Sequence, residues 1–570
     1  MTPQSLTMSY KRKDGKRAWL LSLLLVLGAL LAACGGANGN GNGSTQGSSS
    51  HNYLTIQTGP NGDFTRNFGP YAPNANPGTQ GMVYETLLYV NGFSNKVTPW
   101  LATDYKFSSD NKTLTFTLRQ NVKWSDGKPF TSADVAFTLN LLKKYPAADS
   151  NGLWNYFNSV TAPDDHTVVI SMKKVYTPIL WNVGGTTYIV PEHLWQSVGD
   201  PSKYTNPNPV GTGPFVLKNF SSQLVDYTKN TSYWQAGLPK VGELRYPSYN
   251  SNQSLELDMD KGELDWVSLF TPNLQKGYVD RDPTHNKYWF PPNNAVSLIM
   301  NLSKAPFNNV NVRKAISIAL DRDQMSKVAE SNFEAVASPT GLLLPAQKDF
   351  LAADYQNTTW QAPDVAQATK LMESAGYKKG SDGIYVGPDG KKLSFNINVV
   401  TGWSDWVTIC QMVNSQLKAI GIQANVTALA YNSYISALNL GSFDMSIGSF
   451  SSGPTPFYTF NSMLSKSHTA PIGQQAASNF ERWMDPATDK LLDQYASTTD
   501  TNAQKQAIQG LEKIMVEQVP VITLVNGAAW NEYSTKNFTG WPTVDNPYAV
   551  PPPWQHPDDE QVVLHLTPAK

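Results

Sequence analysis

The residues able to do covalent or metal chemistry are few and poorly spaced for it. Among 570 residues there are two cysteines and seven histidines. His166 in "PDDHT" and His193 in "PEHLW" stand outside any metal-ligand spacing such as H-E-x-x-H, so surface or capping roles are predicted for both. Cys410, in "VTICQMVNSQLKAIGI", has Ile409, Val413, Leu417 and Ile420 around it at helical spacing and no histidine nearby in sequence, which predicts a packed thiol rather than a nucleophile. "GWSDW" lacks the final glycine of a G-x-S-x-G elbow. "DGKKL" lacks the upstream glycine and the Ser/Thr of a phosphate-binding loop. Asp164 and Asp165 sit in a turn sequence, where a solvated bend explains them. A secreted hydrolase is therefore the weaker class, and neither an enzyme, a cofactor nor a metal is expected. What the sequence offers instead is recognition chemistry. "TGWSDW" (401–406), "ALAY" (428–431) and "FSSGPTPFY" (450–458) each set an aromatic beside small polar groups, able to cover an apolar ligand face and bond its edge.

These stretches must be positioned by regular elements. "LSFNINVV" alternates Leu393, Phe395, Ile397 and Val399 as a strand does; the helix carrying Cys410 stops at Gly421; "IQANVTAL" reads as a strand, "YNSYISALNL" as a short helix and "FDMSIGSF" as a strand. This β-α-β-α-β order predicts a parallel sheet with right-handed crossovers. Such sheets bind ligands outside the carboxyl ends of their strands, where the three aromatic stretches fall. Earlier, Leu114, Phe116 and Leu118 alternate with threonines, "SDG" makes a turn, and "TSAD" has capping-box spacing, with Thr131 as N-cap and Asp134 near the positive helix end. A helix of about 13 residues is predicted to follow. "NVRKAISIALDRDQM" puts Val312, Ala315, Ile316, Ala319 and Leu320 on one face, and Gly376 is placed to cap the helix of "DVAQATKLMESAGY".

The amino-terminal end has a different logic. Lys11, Arg12, Lys13, Lys16 and Arg17 precede an apolar run from Trp19 to Ala33, 15 residues long, short of the roughly 18 to 20 that span a bilayer. It reads as a signal peptide rather than a transmembrane anchor, and "LAAC" resembles the lipobox of bacterial lipoproteins. That resemblance implies that Cys34 becomes the acylated first residue of the mature chain. The Gly/Asn/Ser tract of residues 34–50 cannot bury enough apolar surface to offset its ordering entropy and is expected to be a flexible tether. Without residues 1–33 the chain keeps 39 basic and 44 acidic residues, a net charge of −5, which disfavours nucleic acid as a partner. The 537 residues left are enough for two or three domains. With Cys34 acylated, Cys410 has no intramolecular disulfide partner.

The chain resembles the solute-binding proteins of ABC importers in the peptide-binding class, family 5. The likeness rests on "YETLLYVNGFSNKVTPWLATDYKFSSDNKTLTFTLRQNVKWSDGKPFTSADVAFTL" (84–139), "VGTGPFVLKNF" (210–220), "NLSKAPFNNVNVRKAISIALDRDQM" (301–325), "MESAGY" (372–377) and "PVITL" (520–524). It implies an α/β, two-lobed periplasmic-binding-protein-like fold of type II, with an extra domain inserted in lobe one. Mapped here, lobe one takes 51–85, 205–296 and 528–570, the insert 86–204 and lobe two 297–527. The resemblance further implies hinge closure on a solute, a monomer held extracytoplasmically on the membrane by its lipid, and the permease and ATPase subunits of an importer as partners.

One departure bears on the ligand. Peptide-binding members of the family usually carry an aspartate shortly after the strand equivalent to "FDMSIGSF", paired with the peptide's amino terminus; here "SSGPTPFY" puts Ser451 and Ser452 there. Asp405 on the neighbouring strand end is a substitute, but the simplest reading of the departure is a ligand without a fixed amino terminus. A neutral oligosaccharide is the alternative ligand, with Trp403, Trp406, Phe450 and Tyr458 as platforms and Asp405, Ser451 and Ser452 as polar contacts. Tyr431 joins them from the "ALAY" strand end. In lobe one, "TGPNGDFTRNFGPYAPN" (58–74) supplies Phe64, Asn67, Phe68 and Tyr71 as further candidates.

Overall fold

A computed structural model of the chain describes residues 52–60 and 62–570. The apolar run, Cys34 and the tether lie outside the described residues. Among the described residues no helix is long and apolar enough to cross a membrane.

Two mixed sheets carry the two lobes. The first has seven strands in the order Asn286–Tyr288, Glu532–Ser534, Trp266–Val267, Tyr53–Gln57, Glu243–Pro247, Leu224–Lys229 and Phe215–Ser221. Tyr53–Gln57 pairs in parallel on both sides, with Glu243–Pro247 and Trp266–Val267, and the other pairings are antiparallel. Leu54 and Ile56 are fully buried on this strand, against Tyr227, Leu244 and Trp266. The second sheet runs Gln423–Leu429, Ser394–Val400, Met445–Gly448, Pro292–Met300 and Ile522–Ala528. Its first three strands are parallel, joined through helices Ser404–Ala419 and Tyr431–Leu440. The predicted β-α-β-α-β unit is thus present. It is completed by two antiparallel strands from distant sequence, which no local pattern announces.

The alternation in "LSFNINVV" lapses after Phe395: Ile397 to Val400 are all buried, because this strand has neighbours on both edges and its end lies under helices. Gly421 takes φ +75°, and a Cβ there would stand 2.8 Å from the Gly383 carbonyl oxygen, so glycine is required where the Cys410 helix turns back into the sheet. Cys410 itself is fully buried in the lobe-two core, and burial pushes its thiol up to about 12.

A third, four-stranded antiparallel sheet, Ala102–Phe107, Thr113–Leu118, Thr167–Met172 and Phe157–Asp164, lies in the region read as the insert. Helix Ser132–Lys144, 13 residues long, packs on it. Asp134 closes its amino-terminal end, accepting from the backbone N–H of Thr131 at 2.9 Å, from that of Glu192 at 2.9 Å and from the Trp124 indole at 3.2 Å.

The chain crosses between the two main sheets at 289–291 and again at 529–531. The crossings bond to each other: Trp289 N–H donates to the Asn531 carbonyl (3.0 Å) and Ala529 N–H to that of Pro291 (2.8 Å). Around them Tyr288, Phe290, Phe333, Phe270 and Trp530 form an aromatic cluster with ring centroids 4.8 to 6.1 Å apart.

Candidate functional site

The strand ends of both sheets meet in one cavity of about 430 Å³. Lobe one contributes Thr58–Pro60, directly after strand Tyr53–Gln57, and Ser268–Phe270, directly after the parallel strand Trp266–Val267. Lobe two contributes Trp403, Asp405 and Trp406 after strand Ser394–Val400, Tyr431 after Gln423–Leu429, and Ser449 after Met445–Gly448. The rule that parallel sheets bind at their carboxyl ends therefore holds in both lobes at once. The end of strand Ile522–Ala528 supplies Gly527 and Ala528, and the crossing after it supplies Trp530.

Aromatic walls dominate. Trp403 meets Trp406 edge to face at 4.9 Å and lies 5.9 Å from Tyr431, while Trp530 faces Phe270 at 5.5 Å. Trp554 closes the lobe-one side, its indole donating to the Ser268 hydroxyl at 2.8 Å. Among the residues lining the cavity the only charged ones are Asp405 and Glu334; none is Lys, Arg or His. Asp405 sits in the first turn of helix Ser404–Ala419 and is 6% exposed. Burial pushes its carboxyl up to about 6, against the backbone N–H groups of the helix start that hold it down. Glu334 is raised well above the carboxylate range, first by burial and then by the charge of Asp405.

The sequence candidates divide. Trp403, Asp405, Trp406 and Tyr431 line the cavity. Phe450 does not: it is turned into the core and stacks on Phe480 at 5.9 Å. Ser451 and Ser452 follow it outside the lining. Tyr458, within helix Pro456–Leu464, packs edge on against Trp181 at 6.0 Å and donates to the Pro178 carbonyl at 3.4 Å, tying this helix to the insert instead of facing a ligand. In lobe one, Phe68 is a core residue held edge to face by Phe220 and Tyr227. Phe64 packs at the margin of that core. Asn67 spends its amide on the Pro73 and Asn74 carbonyls (2.8 and 3.2 Å), and the Tyr71 hydroxyl donates to the Tyr188 carbonyl. The physical reason is shared: the loop after Thr58 folds back on its own lobe, and a ring of roughly 150–250 Å² gains more in the core than at a wet edge.

Sequence reasoning missed Thr58, Ser268, Phe270, Glu334, Trp530 and Trp554. Applying the strand-end rule to lobe one would have found the first three, since "DWVSLF" is a short strand leading into Phe270. Glu334, in "ESNFEAVASP", carries no local signal.

Comparison with known proteins gives a consistent picture. Residues 96–471 match the family described as bacterial extracellular solute-binding proteins, family 5 (middle). The oligopeptide-binding protein OppA of Bacillus subtilis is 24% identical over 550 residues, 89% of this chain and 93% of its own length. The glutathione-binding protein GsiB of Salmonella typhi is 29% identical over 344 residues, 59% of this chain and 61% of its own. Among solved structures, the periplasmic oligopeptide-binding protein of Thermotoga maritima, crystallised with mannohexaose, superposes with a TM-score of 0.84 at 26% identity, covering 91% of this chain and 98% of that one.

Proposed function

This chain belongs to the bacterial extracellular solute-binding proteins of family 5, and from that premise we propose that it captures a peptide in the interlobe cleft and delivers it to the membrane permease of an ABC importer, whose ATPase subunits drive transport. The observation that carries the ligand class is the cleft lining itself: six aromatic rings surrounding two carboxyls, with no basic group among them. Indoles cover peptide side chains of varied shape, and Asp405 takes the amino terminus in place of the aspartate missing near Ser451. A buried ammonium needs such a partner. The names of the relatives, oligopeptide-binding in two cases, support the same reading.

A second reading is a neutral oligosaccharide stacked on Trp403, Trp406 and Trp530; the mannohexaose held by the Thermotoga protein favours it. It leaves the Asp405 carboxylate without a cationic partner, which is why the peptide comes first. In either case the working motion is hinge closure about 289–291 and 529–531, with 51–85, 205–296 and 528–570 as one lobe, 297–527 as the other and 86–204 inserted. The monomer is tethered outside the membrane by acylated Cys34 and performs no catalysis.

The test is thermal unfolding of the purified protein against two- to six-residue peptides and against α- and β-linked oligosaccharides. Ligand at 100 times its Kd adds about 2.7 kcal/mol of stability, a rise of a few degrees in Tm. A shift with peptides alone is expected. A shift with sugars alone replaces this reading by the second.

A further inference from the structure

Three carboxyl side chains from two separate stretches, Glu330 and Glu334 on one and Asp405 on the other, stand within electrostatic reach of one another at the cleft. Glu334 lines it; one carboxyl oxygen, Oε1, accepts from the backbone N–H of Ala528 at 2.6 Å, beside the hinge crossing, while Oε2 is buried without a hydrogen-bond partner. Glu330 is fully buried, and neither of its carboxyl oxygens has a partner. Asp405 faces the cavity from the start of helix Ser404–Ala419. The three act on one another: after burial, the charges of Glu334 and Asp405 raise Glu330, and that of Asp405 raises Glu334.

Helix Arg322–Gln324, packed against the turn Met325–Ala329, carries buried Arg322, but its guanidinium is spent on the Ser317, Leu320 and Thr523 carbonyls and the Ser317 hydroxyl and acts on none of the three carboxyls. The turn Met325–Ala329 that leads into Glu330 packs against helix Ser404–Ala419 and strand Ile522–Ala528. That strand, "ITLVNGA", has no titratable side chain; the helix has Asp405, buried Cys410 and Lys418, and of these only Asp405 acts on the two glutamates. Lys327 in the turn is exposed and contributes to none of the three. Carboxyls this well desolvated must keep their protons or find a cation. Among the described residues no group of three or more acidic, histidine or cysteine side chains has a geometry that could hold a metal ion. An organic ammonium presents three N–H donors; the Asp405 carboxylate offers acceptors to the cavity, and Glu334, which also lines it, keeps in buried Oε2 an acceptor that no protein donor uses.

We propose that Glu334 is a second anchor for the ligand's ammonium beside Asp405, and that with Glu330 behind them the three carboxyls make capture proton-coupled. The ammonium enters with its charge, one carboxyl proton leaves to solvent, and no covalent bond changes. Glu330 touches no ligand; it sets the proton affinity of the pair in front of it. Because ionised carboxylates favour the ammonium, affinity rises with pH through the range of Asp405, about 6, and keeps rising above it as Glu334, held well above the usual carboxylate range, ionises, until the ligand's amine loses its own proton at about 8.

This inference rests on the peptide reading, and one experiment separates their fates. The full chain is titrated calorimetrically with alanine peptides of two to six residues, carrying free or acetylated amino termini, in phosphate and in bis-Tris at pH 6 and in phosphate and in Tris at pH 8. Expected are a preference of at least tenfold for the free amine, and buffer-dependent heats at pH 6 that report proton release with the free amine only. Glu334→Gln cuts free-amine affinity about tenfold and leaves acetylated-peptide affinity unchanged, which a loss of structure would not do. Glu330→Gln diminishes proton release while keeping the preference. If Asp405→Asn alone removes the preference and Glu334→Gln does nothing, or if no proton is released, the inference falls and the peptide reading stands. If neither series binds, both fall.

Discussion

Two groups of buried carboxyls make opposite use of the same chemistry. Behind the cleft, Glu330 and Glu334 keep unpartnered oxygens. Away from the cavity lining, Glu85 accepts from the indoles of Trp100 (2.9 Å) and Trp234 (3.0 Å) and from the Tyr233 hydroxyl (3.0 Å). Its neighbours on the carboxy-terminal helix Asp558–His565 are equally well served. Asp558 accepts from Tyr89 at 2.8 Å and from the backbone N–H of Val550 at 2.8 Å, and Asp559 pairs with the His556 ring at 2.7 Å. Burial raises the carboxyls of both groups. The difference lies in the donors. The acids around Glu85 are satisfied by protein donors and hold their part of the fold together; Glu330 lacks such donors on both carboxyl oxygens and Glu334 on one, and Glu334 lacks it at the cavity.

The largest effect expected from this contrast is at Glu85. Glu85→Ala orphans three buried donors at about 1–3 kcal/mol each, so urea unfolding is expected to register a loss of about 5 kcal/mol. A loss below about 1 kcal/mol would erase the distinction between the two groups. Next, Phe450→Ala and Trp403→Ala compare a core ring with a cleft ring. The first is expected to cost about 3 kcal/mol of folding stability with ligand affinity nearly kept by the folded fraction. The second should cost little stability and lower affinity at least tenfold.

The smallest effect concerns pH. The folded-state pKa of Glu330, Glu334 and Asp405 is raised, so between the unfolded values near about 4 and the folded ones the native state holds protons the unfolded chain has lost. Their contribution is therefore most favourable at low pH and is lost as pH rises, for Asp405 from about 4 through about 6. The Tm of the ligand-free protein is expected to fall between pH 5 and 7.5. Glu330→Gln removes part of that slope and stabilises the protein at pH 7.5 by about 1 kcal/mol, the reverse of Glu85→Ala.

Much was legible where neighbours in sequence are neighbours in space. The Thr131 and Asp134 cap, the helix carrying Cys410 and its end at Gly421, and the three parallel strands ending at Trp403, Tyr431 and Ser449 all follow from patterns a few residues long. Local pattern misled where it assigned an aromatic to the ligand without knowing which side of the backbone faced the core. Phe450 follows the same strand end as Ser449, yet it points to Phe480. Phe68 and Tyr71 lie in a loop that folds back on lobe one.

By itself, then, the sequence determined the family likeness, the element types and the carboxyl-end location of the cleft, because hydrophobic period and capping are local and cheap to satisfy in only one way. Tertiary structure alone decided the rest. Antiparallel strands Pro292–Met300 and Ile522–Ala528 bring the two crossings between the sheets, and with them Trp530, to the cleft. The fold of 330–338 carries Glu334 to Asp405, and Trp554 arrives from the far end of the chain. Electrostatic partnership depends on distance and desolvation, and neither is encoded in the spacing of residues along a chain.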